Sequence, residues 1–233
     1  MGSRYLTAKG DIMANLDNSL MDIFNSKDGK VADATCVLAR LWRLTVAGLV
    51  VELSVWELRF NAYIAACEDV IGKQKAHNQK GNLPKRLARP EMTFKVFCKG
   101  LSVLFKQFDF ELSITKDGVT HTYCEKIDSI YDDSAGKYLK SIWNKFIVDW
   151  PDVTNNWPKY MADYKTRFKK EFGDDASNLA SNLTRALETD ELTWNVLYQG
   201  IQVHQIQEMK ITVRTEIGSS KKQTMTLATI KLV

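Results

Sequence analysis

No stretch of the chain approaches the roughly 18–20 uncharged apolar residues needed to cross a bilayer. The most hydrophobic run, Val46 to Val51, ends at Glu52. The opening residues, Met1-Gly2-Ser3-Arg4-Tyr5, lack the charged-then-apolar order of a secretion signal. Both absences set the expectation of a cytoplasmic chain with no membrane partner. Cysteine is also scarce. Cys36, Cys67, Cys98 and Cys124 include no CxxC pair, whereas a disulfide framework or zinc site would cluster its ligands. Free thiols, mostly buried, in a reducing compartment are expected instead. His77, His121 and His204 are scattered without HExxH spacing, and no GxGxxG, GxxxxGK[ST] or GxSxG stretch occurs. The expectation is therefore a protein that is not an enzyme, with no cofactor, no metal and no catalytic residue.

What the chain does contain is an ordinary globular composition: 233 residues, 45% hydrophobic and 26% charged. The net charge of +4 permits an anionic partner without requiring one.

Within that composition the chain resembles itself. Leu38, Leu41, Trp42 and Val46 meet Leu139, Ile142, Trp143 and Ile147 at an offset of 101, and Trp56 and Tyr63 meet Trp157 and Tyr164. After a one-residue slip, Leu83 and Leu87 meet Leu183 and Leu187 at an offset of 100, and the stretch from Glu91 to Phe97 meets Glu191 to Leu197. Gly100 and Val103 then meet Gly200 and Val203, and Phe108 to Leu112 lines up with Met209 to Val213. Tryptophan is rare, so two Trp–Trp matches at one offset carry most weight. These matches predict an α+β fold made by tandem duplication of a helical unit ending in a β-hairpin, with the two hairpins able to join in one antiparallel sheet. The corresponding division is an N-terminal extension over 1–30, a first unit over 31–130 and a second over 131–233.

Periodicity places the elements. Leu38, Leu41, Trp42, Thr45, Val46 and Leu49 fall at helical spacing over 34–49. Ser54 with Glu57 reads as a capping box for a second helix reaching about Gly72, burying Trp56, Phe60, Tyr63, Ile64 and Cys67. A third helix is expected to start after Pro90, with Thr93 capping it or bending into it and Phe94, Phe97, Leu101 and Leu104 inward. Phe108, Phe110, Leu112 and Ile114 then alternate with polar residues, and Asp117-Gly118 turns the hairpin back over Val119 to Ile127. In the second unit the same reading gives helices near 134–149, 158–172, 176–188 and 191–205 and strands near 207–217 and 221–232, turning at Gly218-Ser219-Ser220. The first residues hold one candidate helix, Leu16 to Phe24, and a turn at Ser26-Lys27-Asp28-Gly29.

Charge separates the two units. The connector from Lys73 to Arg89 carries Lys73, Lys75, Lys80, Lys85, Arg86 and Arg89 and no acid. A flexible basic segment of this kind could neutralise phosphates of a nucleic acid. The plainer reading is a solvated loop, favoured because no aromatic residues interleave to stack bases. The matching region of the second unit reverses sign, with Asp174, Asp175, Glu188 and Asp190 against Arg185, an acidic surface suited to a head-to-tail contact between copies. Asp132-Asp133 and Asp174-Asp175 read as helix-start carboxylates favouring the dipole. Tryptophan and tyrosine at helical spacing read as core.

One family resemblance adds context. Gly81-Asn82-Leu83, then Met92-Thr93-Phe94-Lys95, then Lys99-Gly100-Leu101 resembles a group of small tailed-bacteriophage proteins that carry Gly-Asn-Leu, Met-Thr-Trp-Lys and Lys-Gly-Leu in that order. Phe94 stands where they carry Trp, although Trp194 has it in the second unit. The resemblance covers roughly 38–127, with an echo in 139–232, and implies a phage setting without a mechanism. The expectation is a virion structural or assembly protein that contacts other phage proteins and copies of itself, first in host cytoplasm and then in the particle. The alternative is a nucleic-acid-binding accessory protein of replication or packaging using 73–89.

Overall fold

The computed structural model describes residues 29–49, 53–172, 176–217 and 221–231. Residues 35–233 form one compact unit; of the segment before it, only residues 29–34, the start of the first helix, are described. In order the elements are α1 (Gly29–Leu49), α2 (Leu53–Ile71), α3 (Lys73–Leu87), α4 (Phe94–Leu104), β1 (Gln107–Lys116), β2 (Val119–Asp128), α5 (Gly136–Asp149), α6 (Pro151–Asn155), α7 (Trp157–Phe172), α8 (Ala176–Glu188), α9 (Trp194–Val203), β3 (Glu208–Ile217) and β4 (Lys221–Lys231). The α+β expectation holds. Leu16 to Phe24, the turn at 26–28, the Ser54 side chain, Asp174-Asp175 and Gly218-Ser219-Ser220 lie outside the described residues.

The strands form one antiparallel sheet in the order β2-β1-β3-β4, so the two hairpins meet through their first strands. Asp117 (φ 52) and Gly118 (φ 77) make the turn between β1 and β2, both left-handed as a tight hairpin requires. On β1 the even residues Phe108, Phe110, Leu112 and Ile114 are buried against the helices, each at 1% exposure or less. The odd residues face the other way, where Ser113 bonds Thr122 and Thr115 bonds Thr120 across the pair. There Arg214 also reaches Glu111 at 2.8 Å.

The register between β1 and β3 has a local two-fold. Phe110 pairs with Val213, Glu111 with Thr212 and Leu112 with Ile211. An offset of 101 carries Glu111 onto Thr212, its own partner, and exchanges the pairs on either side. Under this dyad lies an aromatic centre. Phe94 stacks on Trp194 with ring centroids 6.4 Å apart, and Phe110 meets both edge-on, at 5.0 and 6.1 Å.

Matching contacts recur on both sides of the dyad. Thr93 accepts from the Val96 amide and Thr193 from the Val196 amide, each at 3.3 Å. Trp42 meets Trp56 edge-on at 6.1 Å, and Trp143 meets Trp157 at 6.2 Å. A Cβ on Gly100 would lie 2.7 Å from Leu87 and 2.8 Å from Trp42; one on Gly200 would lie 2.9 Å from both Leu187 and Trp143. Both glycines are needed because helix and tryptophan approach too closely for a side chain.

Several boundaries differ from the sequence reading. The connector 73–89 is not a flexible loop: 73–87 is helix α3. Its sparse apolar residues, Ala76, Leu83 and Leu87, all share the buried side. Gly72 (φ 82) lets the chain turn out of α2, and Gln79 donates to the Tyr131 carbonyl at 3.0 Å. This seating outweighs the helix-breaking tendency of Gly81 and Pro84. The helix expected just after Pro90 begins instead at Phe94, because Thr93 is extended (φ −78, ψ 153) and caps it. Likewise α9 begins at Trp194 rather than 191. A short helix over Pro151–Asn155, unforeseen, bridges α5 and α7. Asp133 is not a helix-dipole residue: it holds Lys95 at 3.1 Å and Lys99 at 2.9 Å, and the first turn of α5 contains no acid.

Candidate functional site

The six basic residues singled out by the sequence are brought onto one element. Lys73, Lys75, Lys80, Lys85 and Arg86 lie on α3, Arg89 lies in the turn after it, and all are exposed. None of them forms an ion pair with a described residue. Arg43 from α1 donates to the Arg89 carbonyl at 3.4 Å, adding a further guanidinium at the C-terminal end. The negative end of the helix dipole accounts for basic side chains at Lys85 and Arg86, but not for those farther up the helix.

Helix α8 is the counterpart of α3. Leu183 and Leu187 are buried as Leu83 and Leu87 are, and Leu187 meets Gly200 as Leu87 meets Gly100. Its described charged residues are Arg185 and Glu188. Of the predicted acidic surface, Glu188 ends α8 and Asp190 lies in the following turn, both exposed.

A second cluster was not legible in the sequence. Lys116, the last residue of β1, points to the buried side and is only 7% exposed. Its ammonium reaches Asp152 at 3.3 Å and lies over the rings of Trp150 and Tyr160 at 5.7 and 5.3 Å. Burial alone would raise the Asp152 carboxyl, but the Lys116 bond and charge, helped by Tyr160, hold it below its usual range. Carboxylate and ring faces all attract the cation, an arrangement suited to pinning the hairpin tip.

Beside it, His204 is fully buried, its ring 4.4 Å from Phe146 and 5.8 Å from both Trp143 and Trp157. Neither ring nitrogen has a hydrogen-bond partner. Burial, reinforced by the Lys116 charge and opposed by Asp152, pushes its pKa down to about 3. An offset of 100 sets it against Leu104 in the sequence. His121 is half-buried beside Trp150 (4.9 Å) and Asp149 (3.7 Å), while His77 is exposed on α3.

An open groove of ≈ 640 Å³ lies between β2 and α5, with Thr122, Lys137, Lys140, Ser141, Asn144 and Lys145 among its lining. Much of its polar capacity is already used. Lys140 donates to the Leu187 carbonyl, and Lys145 and Ser141 both bond Glu125.

The cysteines are dispersed: Cys67 and Cys98 are buried, Cys36 is intermediate and Cys124 exposed. Burial raises the thiol pKa of Cys67 and Cys98. Among the described residues, no group of three or more His, Cys, Asp or Glu is placed to hold a metal ion. Among them, too, no helix is long and apolar enough to cross a membrane. No protein-family model, curated protein or solved structure matches the chain.

Proposed function

We propose that this chain is a non-enzymatic assembly protein of a tailed-phage particle, acting through protein–protein contacts. In this reading its halves are a duplicated unit, and the β1–β3 pairing replaces the contact that two separate units would have made as a dimer. The observation that carries the reading is the β1–β3 register, centred on Glu111 and Thr212, with matched contacts at Gly100 and Gly200 on either side. A dimer contact between identical units is isologous, and this register has that form.

Internal pairing uses one edge of each hairpin and leaves β2 and β4 at the outside of the sheet. An outer strand offers unpaired backbone groups to a further strand, the commonest way for a sheet to recruit a neighbour. The two halves keep similar cores but differ in surface charge at α3 and α8, which suits different neighbours at the two ends. The motif shared with small phage proteins supports the setting.

Sedimentation velocity on the full chain at low and high salt tests the contacts. The reading expects concentration-dependent assembly, weakened by salt if the α3 and α8 surfaces meet. A monomer under both conditions, across the accessible concentration range, contradicts it.

A further inference from the structure

We propose that helix α3 and the turn after it form a binding surface for the phosphate backbone of duplex nucleic acid. This assigns α3 to a nucleic acid rather than to a neighbouring copy, and it does not rest on the assembly reading, which stands on the β1–β3 register and the sheet edges.

α3 and α8 do the same packing work, each burying a pair of leucines, the second of which lies against a glycine that a tryptophan also approaches. α8 does so with Arg185 and Glu188 as its described charges. α3 does so with five Lys/Arg and no acid, and Arg89 follows. The core therefore does not call for the excess charge on α3, which has self-repulsion to overcome and no ion pair with a described residue to relieve it. A polyanion would relieve it, with release of bound counterions as the driving term.

Rigidity changes what the segment can do. As a loop it would lose chain entropy on binding; as a seated helix it is already ordered. Its 15 residues span about 22 Å, long enough to pass several phosphates of a duplex. Between the cations the exposed residues include Gln74, Asn78 and Asn82, whose amides can also donate to phosphate oxygens. The exposed residues of α3 include no Phe, Tyr or Trp ring on which an unpaired base could stack, the His77 imidazole being their one aromatic group. That composition favours backbone contact with a duplex over a splayed single strand, and contacts to phosphate carry no sequence information.

The test is fluorescence anisotropy of the full chain with a labelled DNA duplex of about two turns, the matching single strand and a scrambled duplex, at roughly 50 and 200 mM salt. The expected result is duplex binding that is indifferent to sequence and falls steeply with salt. The fourfold variant Lys80→Gln, Lys85→Gln, Arg86→Gln, Arg89→Gln should lose about tenfold or more in affinity, its salt slope shrinking by about 0.9 for each contact removed. Should that variant unfold by circular dichroism, the pairs K80Q/K85Q and R86Q/R89Q should each lose part of the affinity. A control, K159Q/K165Q/K170Q on the exposed face of α7, should bind as the parent does. The proposal is overturned by absence of duplex binding at the lower salt, by tighter binding of the single strand, or by an equal loss in the α7 control. Self-association that the α3 variant abolishes, with no duplex binding, also overturns it.

Discussion

Replacing His204 by leucine should make the protein more stable and less sensitive to acid. His204 is 0% exposed, packed against Phe146, Trp143 and Trp157, and both ring nitrogens lack partners. Burying polar groups without hydrogen bonds costs about 1–3 kcal/mol. Leu104, set against His204 in the sequence at an offset of 100, is itself buried, and a leucine leaves no polar atom unpaired. His204→Leu should therefore gain about 1–3 kcal/mol near neutral pH. The folded-state pKa lies near 3, below the ordinary histidine value of 6.5. As pH falls through that window the unfolded chain takes up the proton first. The contribution is thus fully present above the unfolded value and is lost toward the folded one, at up to about 1.4 kcal/mol per pH unit. Urea unfolding of parent and variant at about pH 7 and about pH 5 should show the gap widening by about 2 kcal/mol at the lower pH. A variant less stable than the parent at neutral pH, or a gap that does not change with pH, would refute the reasoning.

Other perturbations have equally definite outcomes. Gly100→Ala and Gly200→Ala should each cost about 1–3 kcal/mol in urea unfolding, by pressing a methyl into a leucine and a tryptophan ring; a neutral effect at both would contradict the close approach. Thr93→Ala and Thr193→Ala should each lose about 1 kcal/mol through the missing cap, and a loss confined to one would break the correspondence between the halves. Timed alkylation read by mass spectrometry should label Cys124 in the native protein and Cys98 only on unfolding; early labelling of Cys98 would contradict its burial.

Features that depend on neighbouring residues were readable in the sequence. The alternation Phe108-Phe110-Leu112-Ile114 and the Asp117-Gly118 turn define the first hairpin, because strand period and turn geometry are local. Thr93 was legible as a cap for the same reason. Features decided by distant contacts were not. Helix α3 looks like a loop because only Ala76, Leu83 and Leu87 tie it to the core, while Gly81 and Pro84 argue against helix. Distant elements seat it: Leu87 lies against Gly100, and Gln79 donates to the Tyr131 carbonyl. Nothing adjacent to Lys116 marks it as buried; Trp150, Asp152 and Tyr160, more than thirty residues on, enclose it. The basic surface was visible as composition; its rigidity, and the lack of similar charge on the matching helix, needed the fold.

The proposed role puts the chain in a tailed-phage particle. Mass spectrometry of purified, nuclease-treated particles, set beside an extract of the cells in which the chain is made, checks this. The account predicts the chain's peptides in the particle at a constant ratio to a major structural protein from one preparation to the next. Particles that lack the chain, while infected-cell extracts contain it in abundance, would contradict the account.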